Sequence, residues 1–364
     1  MTFNAPTSFA RHARATLQGL FGFDSIRIPR YPLLDDATPI HPLPRLSAYL
    51  GGATIHVKRE DIAGVGGGGN KLRKLELLIG EALQSGAETV ITVGARQSNH
   101  ARLTAAAAAR AGMRCEVVLT RSVPRDDADY VESGNILLDS LFNARVHDLP
   151  ASADAMAYAI ARADELRASG QRVYICPFGG SSPVGCLAYA ACAAEIVQQS
   201  RAQGNHFDRI IVPNGSGGTH AGLIAGFAAL GAGTIEVDGY TVYAPAAEAH
   251  RATLDKAQQT ARILNRDTEI SPEAVRVDAS QLGPGYGIPT DAMRQAVRLL
   301  ASKEGLLLDP VYSGKAFAGL IEGVTSGRYA PDQNILFVMT GGLPGLFAYR
   351  HEFQTARDRA GMNE

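Results

Sequence analysis

The chain has 364 residues, 46% of them hydrophobic and 20% charged, with a formal net charge of −1. That length exceeds one small core and implies two lobes, and a near-neutral balance without a Lys/Arg block leaves no electrostatic footprint for nucleic acid. Four cysteines, Cys115, Cys176, Cys186 and Cys192, have neither zinc spacing nor disulfide density and read as buried free thiols. No apolar run reads as long enough to cross a membrane.

The first 29 residues are Arg-bearing and acid-poor, with Arg11, Arg14 and Arg27 against Asp24 alone, and lack the apolar block of a secretory signal. The expectation is an N-terminal helix packed on the body or on a partner subunit, in a cytoplasmic protein. Next comes Gly66-Gly67-Gly68-Gly69-Asn70-Lys71-Leu72-Arg73-Lys74, followed by a helix-compatible stretch over 75–83. Four consecutive glycines carry an entropic cost that an ordinary loop does not need. They let the backbone approach something closely and leave one amine, Lys71, at a fixed place.

From there strands and helices alternate. Residues 88–93 (Glu-Thr-Val-Ile-Thr-Val) predict a strand, and Gly94-Ala95-Arg96-Gln97-Ser98-Asn99-His100 leads into an Ala-rich helix over 98–111. A strand at 115–119 and a helix near 131–141 follow, then a strand at 172–176 and a helix from 183 to about 199. A strand at 209–212 enters Asn214-Gly215-Ser216-Gly217-Gly218-Thr219-His220, which opens a helix over 218–230; strands at 234–243 and 334–338 complete the set. Continuous apolar strands alternating with helices predict an α/β protein whose parallel sheets are covered on both faces. No repeat and no low-complexity linker marks a boundary between domains.

Two other phosphate-binding patterns compare poorly with the glycine run. A P-loop needs Gly directly before the lysine and Ser/Thr after it, where this chain has Asn70 and Leu72. A dinucleotide fingerprint matches in letters at Gly64, Gly66 and Gly69, but its acidic residue would be Glu88, which precedes the next strand instead of ending it. The second glycine loop is different in kind. Gly215, Gly217 and Gly218 expose successive N–H groups at the start of a helix, where the dipole also favours an anion, and Ser216 and Thr219 add hydroxyl donors. Ser98 has the position of a helix N-cap, which leaves neighbouring N–H groups for a carboxylate. One lysine, one polar turn and one anion cradle are the parts needed to hold pyridoxal phosphate.

These segments, together with Gly285-Tyr286-Gly287, Asp309-Pro310-Val311-Tyr312-Ser313-Gly314-Lys315 and Thr340-Gly341-Gly342, resemble the D-cysteine desulfhydrases and aminocyclopropane-carboxylate deaminases. These form a branch of the fold-type II (tryptophan synthase β-like) pyridoxal-phosphate enzymes, and the resemblance runs from about Arg30 to Tyr349 in unbroken order. It implies two domains, each an open, parallel-rich twisted sheet covered by helices: a discontinuous large domain, 1–74 with 186–364, and a small one, 75–185. It implies homodimerisation as well, and no metal. Lys71 would be the Schiff-base lysine, and Lys71 or a tyrosine would later remove the substrate α-proton, with Ser98, Tyr286 and Tyr312 as further catalytic residues. Lys74, Asn99, Gly215, Ser216, Gly217, Gly218, Thr219 and Thr340 would bind the cofactor; Ser98, Asn99, His100, Tyr286 and Tyr312 would meet an amino-acid substrate.

The deaminase branch has a glutamate after the second tyrosine and a leucine before the final Gly-Gly, where this chain has Ser313 and Thr340. Hydroxyls at the pyridine nitrogen make a weaker electron sink than a carboxylate. That suits β-elimination, with D-cysteine giving pyruvate, ammonia and sulfide. Ser182 stands where relatives of this branch often have asparagine, and Arg96 replaces a small or apolar residue. Arg96 leaves two readings: a partner for a surface acid, or a cation in the pocket that would favour L-cysteate. An aminocyclopropane-carboxylate deaminase, though disfavoured, and a β-replacement enzyme stay open, and a nicotinamide-dependent oxidoreductase or a non-catalytic binder stands further off.

Overall fold

The computed structural model describes residues 28–264 and 267–354, so the expected N-terminal helix lies outside the described residues. Two sheets form the frame. The first has six strands, β1 (Ile40–Pro42), β2 (Thr54–Lys58), β7 (Arg209–Asn214), β8 (Glu236–Thr241), β9 (Arg276–Asp278) and β10 (Asn334–Val338), in the order β1-β2-β10-β7-β8-β9. The second has four, β3 (Thr89–Ala95), β4 (Arg114–Thr120), β5 (Arg145–Leu149) and β6 (Val173–Ile175), in the order β5-β4-β3-β6. All pairings are parallel except the edge pair β1–β2.

The period-2 geometry of a strand explains why the central runs are apolar throughout. Along β7, Ile210 and Val212 enter one core and Ile211 the other; along β10, Leu336 and Val338 join the first and Ile335 and Phe337 the second. In the smaller sheet Val117 and Leu119 of β4 face one core and Val118 the opposite one. Each sheet therefore needs helices on both faces. These are α1 (Pro44–Leu50), α2 (Lys71–Gln84), α3 (Asn99–Arg110), α4 (Ala128–Glu132), α5 (Gly134–Leu141), α6 (Ala155–Ala168), α7 (Pro183–Ala202), α8 (Gly218–Ala229), α9 (Ala246–Leu264), α10 (Asp291–Glu304), α11 (Ser313–Thr325) and α12 (Leu343–Ala348).

Three sequence expectations need correction. The helix near 131–141 is two helices, α4 and α5, broken where Gly134 takes φ 63° and Ser133 is extended. Strand β5 was not expected, because Arg-Val-His-Asp-Leu is an edge strand with only partial burial and no apolar run. One segment, 178–202 around α7, is long and apolar enough to cross a membrane by length and composition, against the expectation of none; 67% of its apolar 18-residue stretch is buried inside the fold, where α7 packs on α2 and α8.

Helix α2 lies between the sheets, packed on both α3 and α7. Its first turn is clamped by a buried charge cluster: Arg73 donates to both oxygens of Glu60 (2.7 and 2.9 Å) and of Glu195 (2.9 Å each). Lys58 pairs with Glu195 and donates to the Thr38 carbonyl, and Tyr189 donates to Glu60 at 2.8 Å. The carboxyl-terminal ends of β3, β7 and β10 lead into α3, α8 and α12, and those three junctions converge beside the start of α2. In parallel sheets such a crevice is where ligands bind.

Candidate active site

The glycine run turns the chain from β2 into α2. At Gly68, φ is 72° and a Cβ would lie 2.0 Å from the Asp61 carbonyl oxygen, so only glycine fits that crossing. Asn70 then bonds back to the neighbouring loops, its N–H to the Thr340 carbonyl (3.0 Å) and its amide to Thr219 Oγ1 (2.9 Å). Lys71 begins α2 at the floor of a slot of about 40 Å³. Its Nζ donates to Asn70 Oδ1 at 3.0 Å and sits 5.9 Å from the centre of the Tyr312 ring. Loss of hydration pushes the Lys71 amine well below the ordinary lysine value; Lys74 and Arg102 push the same way and Asp309 opposes them.

The opposite end of the slot is the amino terminus of α8. Gly217 caps it with φ 80°, and a Cβ on Gly218 would fall 2.3 Å from Ser181 Oγ and 2.8 Å from Lys74 Nζ. Ser181 and Ser216 share a hydrogen bond of 2.7 Å. Lys74 is 1% exposed and donates to Ser181 Oγ (3.0 Å) and the Gly179 carbonyl (3.3 Å); among the described residues no carboxylate pairs with it. Burial lowers its amine to about 8. A buried ammonium without a counter-charge, beside the free N–H groups of a helix start, is a cradle that a phosphate dianion fits. The residues present therefore suit pyridoxal phosphate, with an amine at one end and an anion seat at the other.

The third wall is the turn after β3. Ser98 is the N-cap of α3, accepting from the Ala101 N–H at 3.1 Å, which leaves its own hydroxyl hydrogen free. Asn99 accepts at Oδ1 from Asn135 Nδ2 (3.0 Å), so its NH₂ is the end left for another partner. His100 Nε2 lies 2.9 Å from Thr92 Oγ1, and burial, followed by the charges of Lys71 and Lys74, lowers it to about 3. It is a neutral imidazole at ordinary pH. Gln97 holds the turn in place by donating to the Tyr130 and Ser133 carbonyls and accepting from the Asn135 N–H.

Tyr286 and Tyr312 close the slot with their hydroxyls 2.6 Å apart. Burial raises both phenols above their usual value, so the pair stays protonated. The buried Lys315 donates to the Leu282 and Gly285 carbonyls (2.7 and 3.0 Å) and so fixes the turn that carries Tyr286.

Thr340 lines the slot, but Ser313 does not. Its hydroxyl donates to Asp309 Oδ1 at 2.6 Å and accepts the Asp309 N–H at 2.9 Å, a reciprocal cap at the start of α11. The expectation that Ser313 faces the cofactor ring is corrected accordingly. Arg96 also lies outside the slot: it makes a two-pronged pair with Asp148 (3.1 and 2.7 Å), the surface-acid reading. Ser182 is simply the N-cap of α7. Sequence reasoning missed Ser181, Phe178 and Tyr243, which line or brace the site. Only Ser181 had a signal, standing directly after Gly179-Gly180 before a Ser-Pro helix start.

Residues 33–341 match the family described as pyridoxal-phosphate dependent enzyme. The chain is 44% identical over 324 residues to a D-cysteine desulfhydrase of Serratia proteamaculans, covering 89% of this chain and 96% of the relative. It is 44% identical over 330 residues to one of Salmonella choleraesuis, covering 89% and 97%. A solved structure described as an ACC deaminase homologue superposes with a TM-score of 0.82 at 35% identity, over 93% of this chain and 98% of that one.

Proposed function

The chain belongs to the family of pyridoxal-phosphate dependent enzymes, and from that premise we propose that it catalyses β-elimination from D-cysteine, giving pyruvate, ammonia and sulfide. The observation that carries the reading is the pairing, along one slot, of a lysine of depressed basicity with a buried, uncompensated lysine at a glycine-lined helix start. The identity of D-cysteine comes from the two desulfhydrase relatives.

Bound pyridoxal phosphate would supply an electron sink for the α-carbon. Lys74, Ser216, Thr219 and the N–H groups of Gly215, Gly217 and Gly218 would hold its phosphate, and Thr340 and the Asn99 NH₂ would hold its ring. Lys71 would supply the amine that anchors it and, when free, accept the α-proton. Its lowered basicity suits both tasks, because a neutral amine is the nucleophile and the base. The substrate carboxylate sits at the start of α3, where Ser98 donates its hydroxyl and the helix dipole favours the charge; His100, being neutral, helps by shape and polarity. Tyr312, linked to Tyr286, donates a hydrogen bond to the departing sulfur; as protonated phenols they are donors and leave the base role to Lys71.

The same reading divides the chain into a large domain, 1–74 with 186–364, and a small one, 75–185. It is supported by the six-stranded sheet drawing on 40–58 and 209–338 while the four-stranded sheet draws on 89–175. It also takes the enzyme as a cytoplasmic homodimer with no nucleic-acid or membrane partner; sedimentation of the holoenzyme tests the dimer.

The deciding experiment offers D-cysteine, L-cysteine, L-cysteate, β-chloro-D-alanine and aminocyclopropane carboxylate to the loaded enzyme and follows pyruvate, ammonia and sulfide. Sulfide from D-cysteine, lost in Lys71→Ala along with the yellow colour of the bound cofactor, is the expected result. Ammonia from aminocyclopropane carboxylate alone would favour the deaminase reading, to which the ACC deaminase homologue lends support. Arg96 gives no support to L-cysteate, because Asp148 already takes its charge.

A further inference from the structure

The glycine run has no side chains of its own to hold it. Gly66, Gly67 and Gly68 take φ of 66°, 78° and 72° and Gly69 takes 129°, a single path chosen from the wide freedom of four glycines. That path decides where Lys71 begins α2. Helix α3 is the bed beneath it: a Cβ on Gly66 would lie 2.6 Å from Ala106 Cβ, and one on Gly69 3.2 Å from Leu103 Cδ1. Among the described residues one side chain hydrogen-bonds the backbone of 66–69. Arg102 Nη2 donates to the Gly68 carbonyl at 2.9 Å.

The stability of the core does not ask for an arginine at that place. Arg102 is fully buried, and its Nε and Nη1 have no hydrogen-bond partner among the described residues. Burial lowers the guanidinium to about 10, so it stays charged at neutral pH; the acid that opposes this most is Asp139 of α5. Asp139 is itself fully buried, with neither oxygen hydrogen-bonded among the described residues, and burial lifts its carboxyl to about 8. It therefore offers little negative charge at neutral pH. A cation so poorly compensated destabilises a core that an apolar side chain of similar length would fill. The position of Arg102 suits another use. Asn99 lies three residues before it on α3, and Asn135 four before Asp139 on α5, so each pair shares a helix face. Asn135 Nδ2 donates to Asn99 Oδ1 at 3.0 Å. The same two helix faces thus orient Asn99 at the slot and carry the guanidinium that grips the glycine run.

We infer that Arg102 is a positioning residue for Lys71: by holding the Gly68 carbonyl against α3, it fixes the start of α2 opposite the polar turn that carries Ser98 and Asn99. The inference deepens the reading above and rests on its assignment of Lys71. Gly68 stands two residues before Asn70, whose side chain accepts from Lys71 Nζ at 3.0 Å, so slack in the run would move both. In the proposed division the bond also crosses from the small domain to the large one, and so holds two walls of the slot at one separation.

The test compares the parent with Arg102→Met and Arg102→Lys, each stripped of cofactor and then mixed with pyridoxal phosphate. Three quantities are read: the melting temperature of the cofactor-free protein, the rate at which the yellow colour appears, and the circular dichroism of the visible band, which reports how firmly the bound group is oriented. Arg102→Met should melt no lower than the parent, yet capture the cofactor about 10-fold or more slowly, the scale of a small misplacement, and show weaker visible dichroism. With D-cysteine its kcat should fall while KM stays nearly unchanged. The bond to Gly68 is single and not bidentate, so a lysine ammonium can make it, and Arg102→Lys should recover most of the loss. Parent-like capture and dichroism in Arg102→Met overturn the inference, and so does a loss that Arg102→Lys fails to recover. If Arg102→Met does not fold, Arg102→Gln, with a polar head too short to reach Gly68, takes its place with the same expectations. The Lys71 assignment fails separately: yellow colour that persists in Lys71→Ala sinks that assignment whatever Arg102 does.

Discussion

Replacing Lys74 by methionine should stabilise the cofactor-free protein and weaken the cofactor's hold, two effects of opposite sign from one side chain. Lys74 is buried against one hydroxyl and one carbonyl, with no carboxylate partner among the described residues. Burial lowers its amine from 10.5 to about 8, so keeping it charged at neutral pH costs the cofactor-free fold about 3 kcal/mol. The sign follows from linkage. The unfolded chain binds the proton more tightly, so the penalty is fully present below about pH 8 and fades as pH rises towards 10.5. Methionine fills similar space without the charge, so the cofactor-free variant should melt several degrees higher. With pyridoxal phosphate the balance reverses, because charge-assisted bonds of about 1.5–3 kcal/mol are lost and affinity should fall roughly 10- to 100-fold. Thermal melts of both forms, with and without cofactor, measure the two effects together. The reasoning fails if the cofactor-free variant melts no higher than the parent and the stabilisation by cofactor is unchanged.

Glu60→Gln should cost about 3–5 kcal/mol, because it leaves Arg73 and Lys58 with one buried carboxylate between them. Burial alone would raise Glu60, but the charge and hydrogen bonds of Arg73, with Lys58 and Thr38, together outweigh it and hold the carboxyl at about 2; the parent should therefore lose stability as pH falls from 4.5 towards that value, and denaturation of the variant should lack that acid dependence. Thr340→Val should weaken cofactor binding and shift its visible spectrum, whereas Ser313→Ala should lower the melting temperature through loss of a buried hydrogen bond to Asp309, about 1 kcal/mol, and leave the spectrum alone. Arg96→Ala should leave the ratio of D-cysteine to L-cysteate turnover unchanged, since its guanidinium is spent on Asp148; a selective loss on L-cysteate would return Arg96 to the pocket.

What the sequence made legible is what local chemistry dictates. The apolar runs of β3, β4, β7 and β10 could be read because both faces of those strands are buried. The glycine run and the loop before α8 could be read because few residues besides glycine tolerate those backbones. Edge strand β5 was illegible because solvent on its outer side removes the pattern. Helix α10, with Thr290 as N-cap and Gly305 in the left-handed region after it, carried start and stop signals that went unread. Ser313 was misplaced, and the two readings of Arg96 stayed undecided, for a different reason. Which way a side chain turns depends on competing partners, here Asp309 and Asp148, and nothing in the spacing of either segment names those acids.

The first turns of α2 join stability to chemistry in one piece of sequence. Residues three apart on a helix share a face, so Lys71 and Lys74 both look into the slot, whereas Arg73, one residue from Lys74, turns away into the Glu60–Glu195 cluster. Loss of hydration, with the charge of Lys74 behind it, lowers Lys71. Burial without a carboxylate partner among the described residues suits Lys74 to an anion. Occupying the helix start at α8 with a phosphate would satisfy Lys74 and still leave Lys71 desolvated. The Arg73 cluster anchors the helix turn that carries both lysines. Without Arg73 fixed between two carboxylates, α2 could rotate slightly and let both lysines reach water, and the depressed basicity of Lys71 would be lost with it. The buried ion cluster, which touches no ligand, is therefore part of what makes Lys71 reactive.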